Sequence, residues 1–259
     1  MTDTFVALGF AIFIWWFSTG IVILLNRMSR TAIAMSLVIS SALGLGALAG
    51  LSHTAHQTGV LGAYCAFTCA LLAWGWNELS FLTGWITGPQ KTAILKDTAG
   101  WPRFVASFNA VIWHELAILL VGLAIVWITW DAPNQVGTGT YLVLWIMRTS
   151  AKLNLFFGVP HNGAQYLPKH LLYLASYFRT RNMTLWFVCS MGVAMGTWFW
   201  LVWLAQQGAV AITTGWVMLA TLLGLAIVEH LIMIFPWPME RLWGWAMGHT
   251  SKPALDMRA

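Results

Sequence analysis

The sequence predicts an all-α fold, a polytopic integral membrane bundle of about seven transmembrane helices with one short interfacial helix. Three observations carry that prediction. Of the 259 residues, 59% are hydrophobic and only 8% are charged, with a mean hydropathy of +0.73, whereas soluble domains carry about 25% charged residues. Seven apolar runs each reach the roughly 20 residues that a bilayer-spanning helix needs. The Lys and Arg residues between the runs fall on alternate sides, always the same side, and an even number of spans would break that pattern. Residues 1–259 therefore read as a single transmembrane domain, with 236–259 as a short cytoplasmic tail. The net charge of +5 reflects basic loops facing one side of a membrane and is not a nucleic-acid signal.

The first run, 4–25, is preceded by no basic stretch and followed by no small-residue cleavage site, so it reads as a helix and not a signal peptide. Arg27 and Arg30 follow. The second run, 31–51, carries Gly46 and Gly50, which with Gly192 and Gly196 further on form G-x-x-x-G pairs suited to close helix approach. The third, 59–83, holds Trp76-Asn77-Glu78. It also holds Cys65 and Cys69 on one face, and two thiols alone do not make a metal site. Lys91, Lys96 and Arg103 lead into the fourth run, 104–129, which has Trp113-His114-Glu115 roughly halfway along it. The fifth, 137–158, carries Arg148, Lys152 and Asn154. Pro160, Gly163 and Pro168 then punctuate a segment whose residues 168–178 read as a short helix at the cytoplasmic interface. The sixth run is 183–205, and the seventh, 210–235, carries Glu229-His230. Loop 52–58 has two histidines but no Lys or Arg, loop 130–136 has only Asp131, and loop 206–209 is uncharged. The basic loops and tail (Arg241, Lys252, Arg258) place the N-terminus outside and the C-terminus in the cytoplasm.

Ionisable groups inside a bilayer cost several kcal/mol unless paired, protonated or bound to an ion. At about 1.5 Å per residue, Glu78 and Glu229 lie roughly 8–9 Å from the cytoplasmic face and Glu115 roughly 16 Å. Glu78, Glu115 and Glu229 are thus expected around one cavity in the cytoplasmic half, within reach of Arg148 or Lys152 and capped from below by His170. Two chemistries suit this set. One is an ion-pair network of three glutamates against Arg148 and Lys152. The other is a metal site drawing on Glu78, His114, Glu115, His170, Glu229 and His230, the ligand types of di-iron carboxylate centres in helical bundles. No E-x-x-H spacing occurs, but in each adjacent Glu/His pair one residue could ligate and the other support it. A proton relay, or a histidine ligand to a haem or pigment magnesium, is a further option. Trp76 and Trp113 lie near these acids and could line a pocket for a flat aromatic ligand, with Arg148, Lys152 and Asn154 as its polar contacts. His53, His56 and His249 read as solvated.

The stretch Met147-Arg148-Thr149-Ser150-Ala151-Lys152-Leu153-Asn154-Leu155-Phe156-Phe157-Gly158-Val159-Pro160 and the stretch from Tyr166 to Phe178 resemble PuhE, the photosynthetic complex assembly family of anoxygenic phototrophic bacteria. Trp76-Asn77-Glu78, Trp113 to Leu119 and Glu229-His230 resemble its other polar segments in the same order, so the likeness runs from about Leu71 to Trp237. The turn around His161 and Gln165 departs from the family pattern, which leaves His170 as the histidine the resemblance supports. The resemblance implies a protein of the bacterial inner (intracytoplasmic) membrane. It would act in forming the reaction centre and core antenna or in regulating bacteriochlorophyll supply. Reaction-centre or core-antenna apoproteins, and bacteriochlorophyll or its precursors, would be partners besides the lipid bilayer. The alternative is a membrane-embedded, di-iron carboxylate-like oxidoreductase acting on a pigment, quinone or lipid.

Overall fold

A computed structural model describes residues 2–95, 97–208, 210–238 and 240–247. Lys96, His249, Lys252 and Arg258, counted above among the loop and tail groups, lie outside the described residues. Apart from an isolated bridge between Val159 and Thr180, the described residues form helices and loops. The α-helices are α1 (Thr2–Leu25), α2 (Arg30–Thr54), α3 (Val60–Leu82), α4 (Gly100–Asn109), α5 (Ile112–Ile128), α6 (Val136–Phe157), α7 (Leu185–Gln207), α8 (Val210–Ile232) and α9 (Glu240–Met247). Five of them, α1, α2, α3, α7 and α8, are long and apolar enough to cross a membrane. Helix α6, of 22 residues, is as long but less apolar.

The expected continuous fourth span is broken. Helices α4 and α5 meet at Ala110–Val111 with a bend of 62° and would count as one further span only if taken together. The break is held by the preceding loop. Thr87 accepts the His114 backbone N–H at 3.0 Å, and the Gln90 N–H donates to the Asn109 carbonyl at 3.4 Å. Gly88 lets the two backbones touch, since a Cβ there would lie 2.0 Å from the Asn109 oxygen. Glu115 consequently sits in the first turn of α5 and not midway along a helix. A carboxylate is favoured there by the unpaired N–H groups of the helix N-terminus.

The segment expected at the membrane interface also differs. It forms a 3-10 helix over Lys169–Tyr177, not an α-helix. Its buried residues are Leu171, Leu174 and Tyr177, and at three residues per turn a spacing of three stacks them in one row. Arg103 of α4 is buried beneath it. Its guanidinium donates to the Phe156 carbonyl at 3.1 Å and the Tyr177 carbonyl at 2.6 Å, and lies over the Phe156 ring.

The core has three main clusters. Leu51, Ile118, Ile125 and Tyr141 join α2, α5 and α6. Phe67, Met218 and Leu222 join α3 to α8, with Ala7 and Ala11 of α1 beside them. Met147, Leu201 and Leu223 join α6, α7 and α8. The stretch read as a tail includes α9, which folds back on α1. Trp243 is buried there and donates its indole N–H to the Trp16 carbonyl at 2.9 Å, while Trp16 donates to the Leu242 carbonyl at 2.8 Å. Of the paired glycines, Gly50 approaches Cys69 closely, but Gly46, Gly192 and Gly196 have open space beside them.

Candidate functional site

The polar groups are organised by α6. Successive helical residues are about 100° apart, so alternate residues point to nearly opposite sides. Arg148 and Lys152 share one face; Ser150 and Asn154 share the other. Each meets a different helix. Arg148 Nη2 donates to Glu78 Oε2 of α3 at 2.9 Å, and Lys152 Nζ is bonded to Glu115 of α5. His230 Nε2 of α8 is 3.1 Å from the Ser150 hydroxyl, and Asn154 Nδ2 is 3.4 Å from the Ser190 hydroxyl of α7. One and a half turns of α6 thus tie together four helices. Tyr141, about two turns before Arg148 on α6, adds a fifth link. It donates to the Ile118 carbonyl at 2.8 Å and accepts from Asn77 at 3.1 Å.

The histidines divide. His230 Nδ1 is 2.9 Å from the Ala226 carbonyl, which can only accept, so Nδ1 carries a proton, and Nε2 is hydrogen-bonded to the Ser150 hydroxyl. His170 bonds the Leu82 carbonyl at 2.8 Å, capping the C-terminal end of α3 over Gly84, which has φ +78°. His114 is fully buried and stacks on Phe81 with ring centroids 4.4 Å apart. Both its ring nitrogens lack a hydrogen-bond partner among the described residues, and Nε2 lies 3.9 Å from Glu78.

Two cavities flank this core. The larger, of about 640 Å³, is bounded by α4, α5, α6 and the interfacial segment, with Glu115, Arg148 and Lys152 at its polar end. The smaller, of about 260 Å³, is lined by Glu78, Arg148, Glu229, His230 and Trp15, with Glu229 bonded to the Trp15 indole. Arg148 lines both and forms part of the partition between them.

The expectation of one cavity ringed by three glutamates is therefore corrected. Glu115 faces the large cavity, Glu78 and Glu229 the small one, and His170 neither. The metal-ligand set Glu78, His114, Glu115, His170, Glu229 and His230 is not assembled. Among the described residues no three His, Cys, Asp or Glu groups come together as metal ligands. Two carboxylates are taken by Arg148 and Lys152, and His170 and His230 are engaged by backbone carbonyls. Trp76 turns to α2 and donates to Ser41 at 2.9 Å, while Trp113 is 53% exposed on the outer face, because its neighbour His114 takes the inward position. Neither lines a cavity described here, and nor does Asn154. Ser150, Tyr141 and Arg103 were absent from the sequence-based set. Ser150 was signalled only by its place between Arg148 and Lys152, and Arg103 read as an ordinary loop cation.

Residues 1–254 match the family described as "Protein of unknown function (DUF3623)". This chain belongs to that family. It is 36% identical over 248 residues to the "Uncharacterized 30.4 kDa protein in puhA 5'region" of Rhodobacter capsulatus, an alignment covering 94% of this chain and 90% of the relative. No solved structure matches. Family membership brings no chemistry with it, so the functional reading rests on the α6 core, its cavities and the position named for the relative.

Proposed function

We propose that this protein is an inner-membrane factor for assembly of the photosynthetic reaction centre and core antenna, acting on the supply of bacteriochlorophyll to them. The observation that carries the reading is the naming of a 36% identical relative by its position in the puhA 5' region. The likeness of residues 147–178 to PuhE supports it, because those residues build the α6 core and the interfacial segment beside the larger cavity. In this reading the ionic groups of α6 fix the bundle around a cavity and do not hold a metal. Helix α6 and the bent α4–α5 pair complete seven crossings, with the N-terminus periplasmic and the C-terminus cytoplasmic. The paired charges then lie in the cytoplasmic half, where pairing offsets the cost of burying them.

The test is deletion of the relative's gene in Rhodobacter capsulatus, complemented by this chain. Near-infrared absorbance of membranes reports reaction centre and core antenna. Deletion should lower it, and this chain should restore it. Unchanged core-complex absorbance in the deletion strain sinks the proposal.

A further inference from the structure

The larger cavity has a size, a lining and a polar end that together specify a ligand class. A dry apolar cavity of about 150 Å³ holds one benzene ring. At about 640 Å³ this one has room for roughly four such rings. Its walls are aromatic, including Phe81, Phe104, Phe108, Trp145, Phe156 and Tyr177. Rings of this kind stack on flat partners in offset or edge-on geometry, and several already do so with each other. Phe104 lies edge-on to Phe156 at 5.9 Å and parallel to Phe108 at 6.2 Å.

The rim indicates the route of entry. Phe104 and Phe108 line the cavity yet are 37% and 45% exposed, and Trp101 and Val105 continue the same apolar face of α4. An entrance edged by exposed aromatic and aliphatic groups admits a molecule from the lipid phase. The inner end is different. Lys152 needs one of its three N–H groups for Glu115, and the Arg148 guanidinium, with a side chain 35% exposed, gives Nη2 to Glu78 and has further N–H groups to offer. Donors there exceed acceptors, while the charges of Arg148 and Lys152 are offset by Glu78 and Glu115. Such an end suits a neutral acceptor oxygen more than a free anion.

We propose that this cavity binds a flat, apolar molecule of about four small rings, taken from the lipid phase with an acceptor oxygen on its edge held by Lys152 and Arg148. The assignment deepens the assembly reading and rests on it for the biological source of the ligand; the binding itself is read from the cavity.

The test uses the full chain in lipid nanodiscs, titrated with mesoporphyrin dimethyl ester, whose edge carries carbonyl oxygens. Octaethylporphyrin, with alkyl edges only, and duroquinone, a single ring with carbonyls, are the comparison probes. Shifts of the porphyrin absorption band report binding, and duroquinone is scored by displacement. The ester should bind about tenfold or more tighter than either comparison probe. Leu153→Trp, which fills the cavity from α6, should weaken both porphyrins about tenfold or more. The double variant Glu115→Leu/Lys152→Met removes both charges together and should narrow the gap between the two porphyrins about threefold or more, leaving Arg148 alone to hold the ester, and an unchanged gap would overturn the role given to Lys152. Equal binding of the two porphyrins by the unmodified protein, tighter binding of duroquinone, or undiminished binding by a folded Leu153→Trp variant would each overturn the proposal. Complementation in the deletion strain is scored separately. A deletion without effect refutes the assembly reading and leaves the nanodisc result standing.

Discussion

Replacing Glu115 with Gln tests whether the Glu115–Lys152 pair holds α5 to α6. The two side chains are only 20% and 23% exposed, so water screens them poorly. Gln keeps the shape and an acceptor oxygen but removes the charge, leaving the Lys152 ammonium uncompensated at the end of a largely apolar cavity. Breaking one side of a buried pair costs about 3–5 kcal/mol, and the open cavity puts this site near about 3 kcal/mol. For a chain of this size about 1 kcal/mol moves the midpoint by about 2–4 °C, so thermal unfolding in detergent should fall by about 6–12 °C. Lys152→Gln should cost a similar amount for the mirror-image reason. The double variant should recover to within about 1 kcal/mol of the starting protein, because two neutral amides replace two opposed charges. Size-exclusion profiles establish that each variant is folded before melting. Additive losses in the double variant, or single variants that melt like the parent, would refute the claim that the pair is coupled and buried.

Glu229→Gln should shift the same unfolding midpoint by less than about 1 kcal/mol equivalent, since no Lys or Arg nitrogen lies within ion-pair distance of it among the described residues. A loss as large as that of Glu115→Gln would show that Arg148 serves both acids. Gly88→Ala should prevent recovery of folded protein, because its Cβ would overlap the Asn109 carbonyl, whereas Gly192→Ala in open space should be neutral or raise stability by up to about 1 kcal/mol; comparable yields of both on size exclusion would refute this account of the α4–α5 break. Arg103→Met should free α4 from the interfacial segment by removing two charge-assisted hydrogen bonds, at about 1.5–3 kcal/mol each. Limited proteolysis near residues 97–103 should then quicken, and an unchanged digestion rate would argue against the clamp. Reporter fusions at Arg30 and Arg181 should read cytoplasmic and those at His56 and Asp131 periplasmic, and one reversal removes a crossing from the proposed topology.

What could be read from the sequence was set by composition and by local period. Apolar runs gave α1, α2, α3, α7 and α8 to within a few residues, because a helix in lipid must satisfy its backbone internally. The pairing of charges carried by the apolar runs was also foreseeable, since solitary charge is costly among apolar groups. Two things were not. The break at Ala110–Val111 has no proline or glycine at the joint; it is imposed from outside by Thr87, Gly88 and Gln90, which touch it only after folding. The 3-10 geometry of Lys169–Tyr177 likewise hides in a sequence that also suits an α-helix.

The distribution of partners around α6 follows from the order of its polar residues. Arg148, Ser150, Lys152 and Asn154 alternate along the helix, and alternation at 100° per residue sends neighbours in the series to opposite sides. Polar groups so arranged cannot converge on one cavity. They must be met from both sides, so a helix carrying them has to be surrounded, here by α3 and α5 on one face and α7 and α8 on the other. The same arrangement fits α6 being the least apolar of the long helices, since its polar residues are met by protein groups on both faces. It also explains why two cavities exist instead of one. A polar hub fixed on both faces divides the space beside it, and Arg148 stands in the partition.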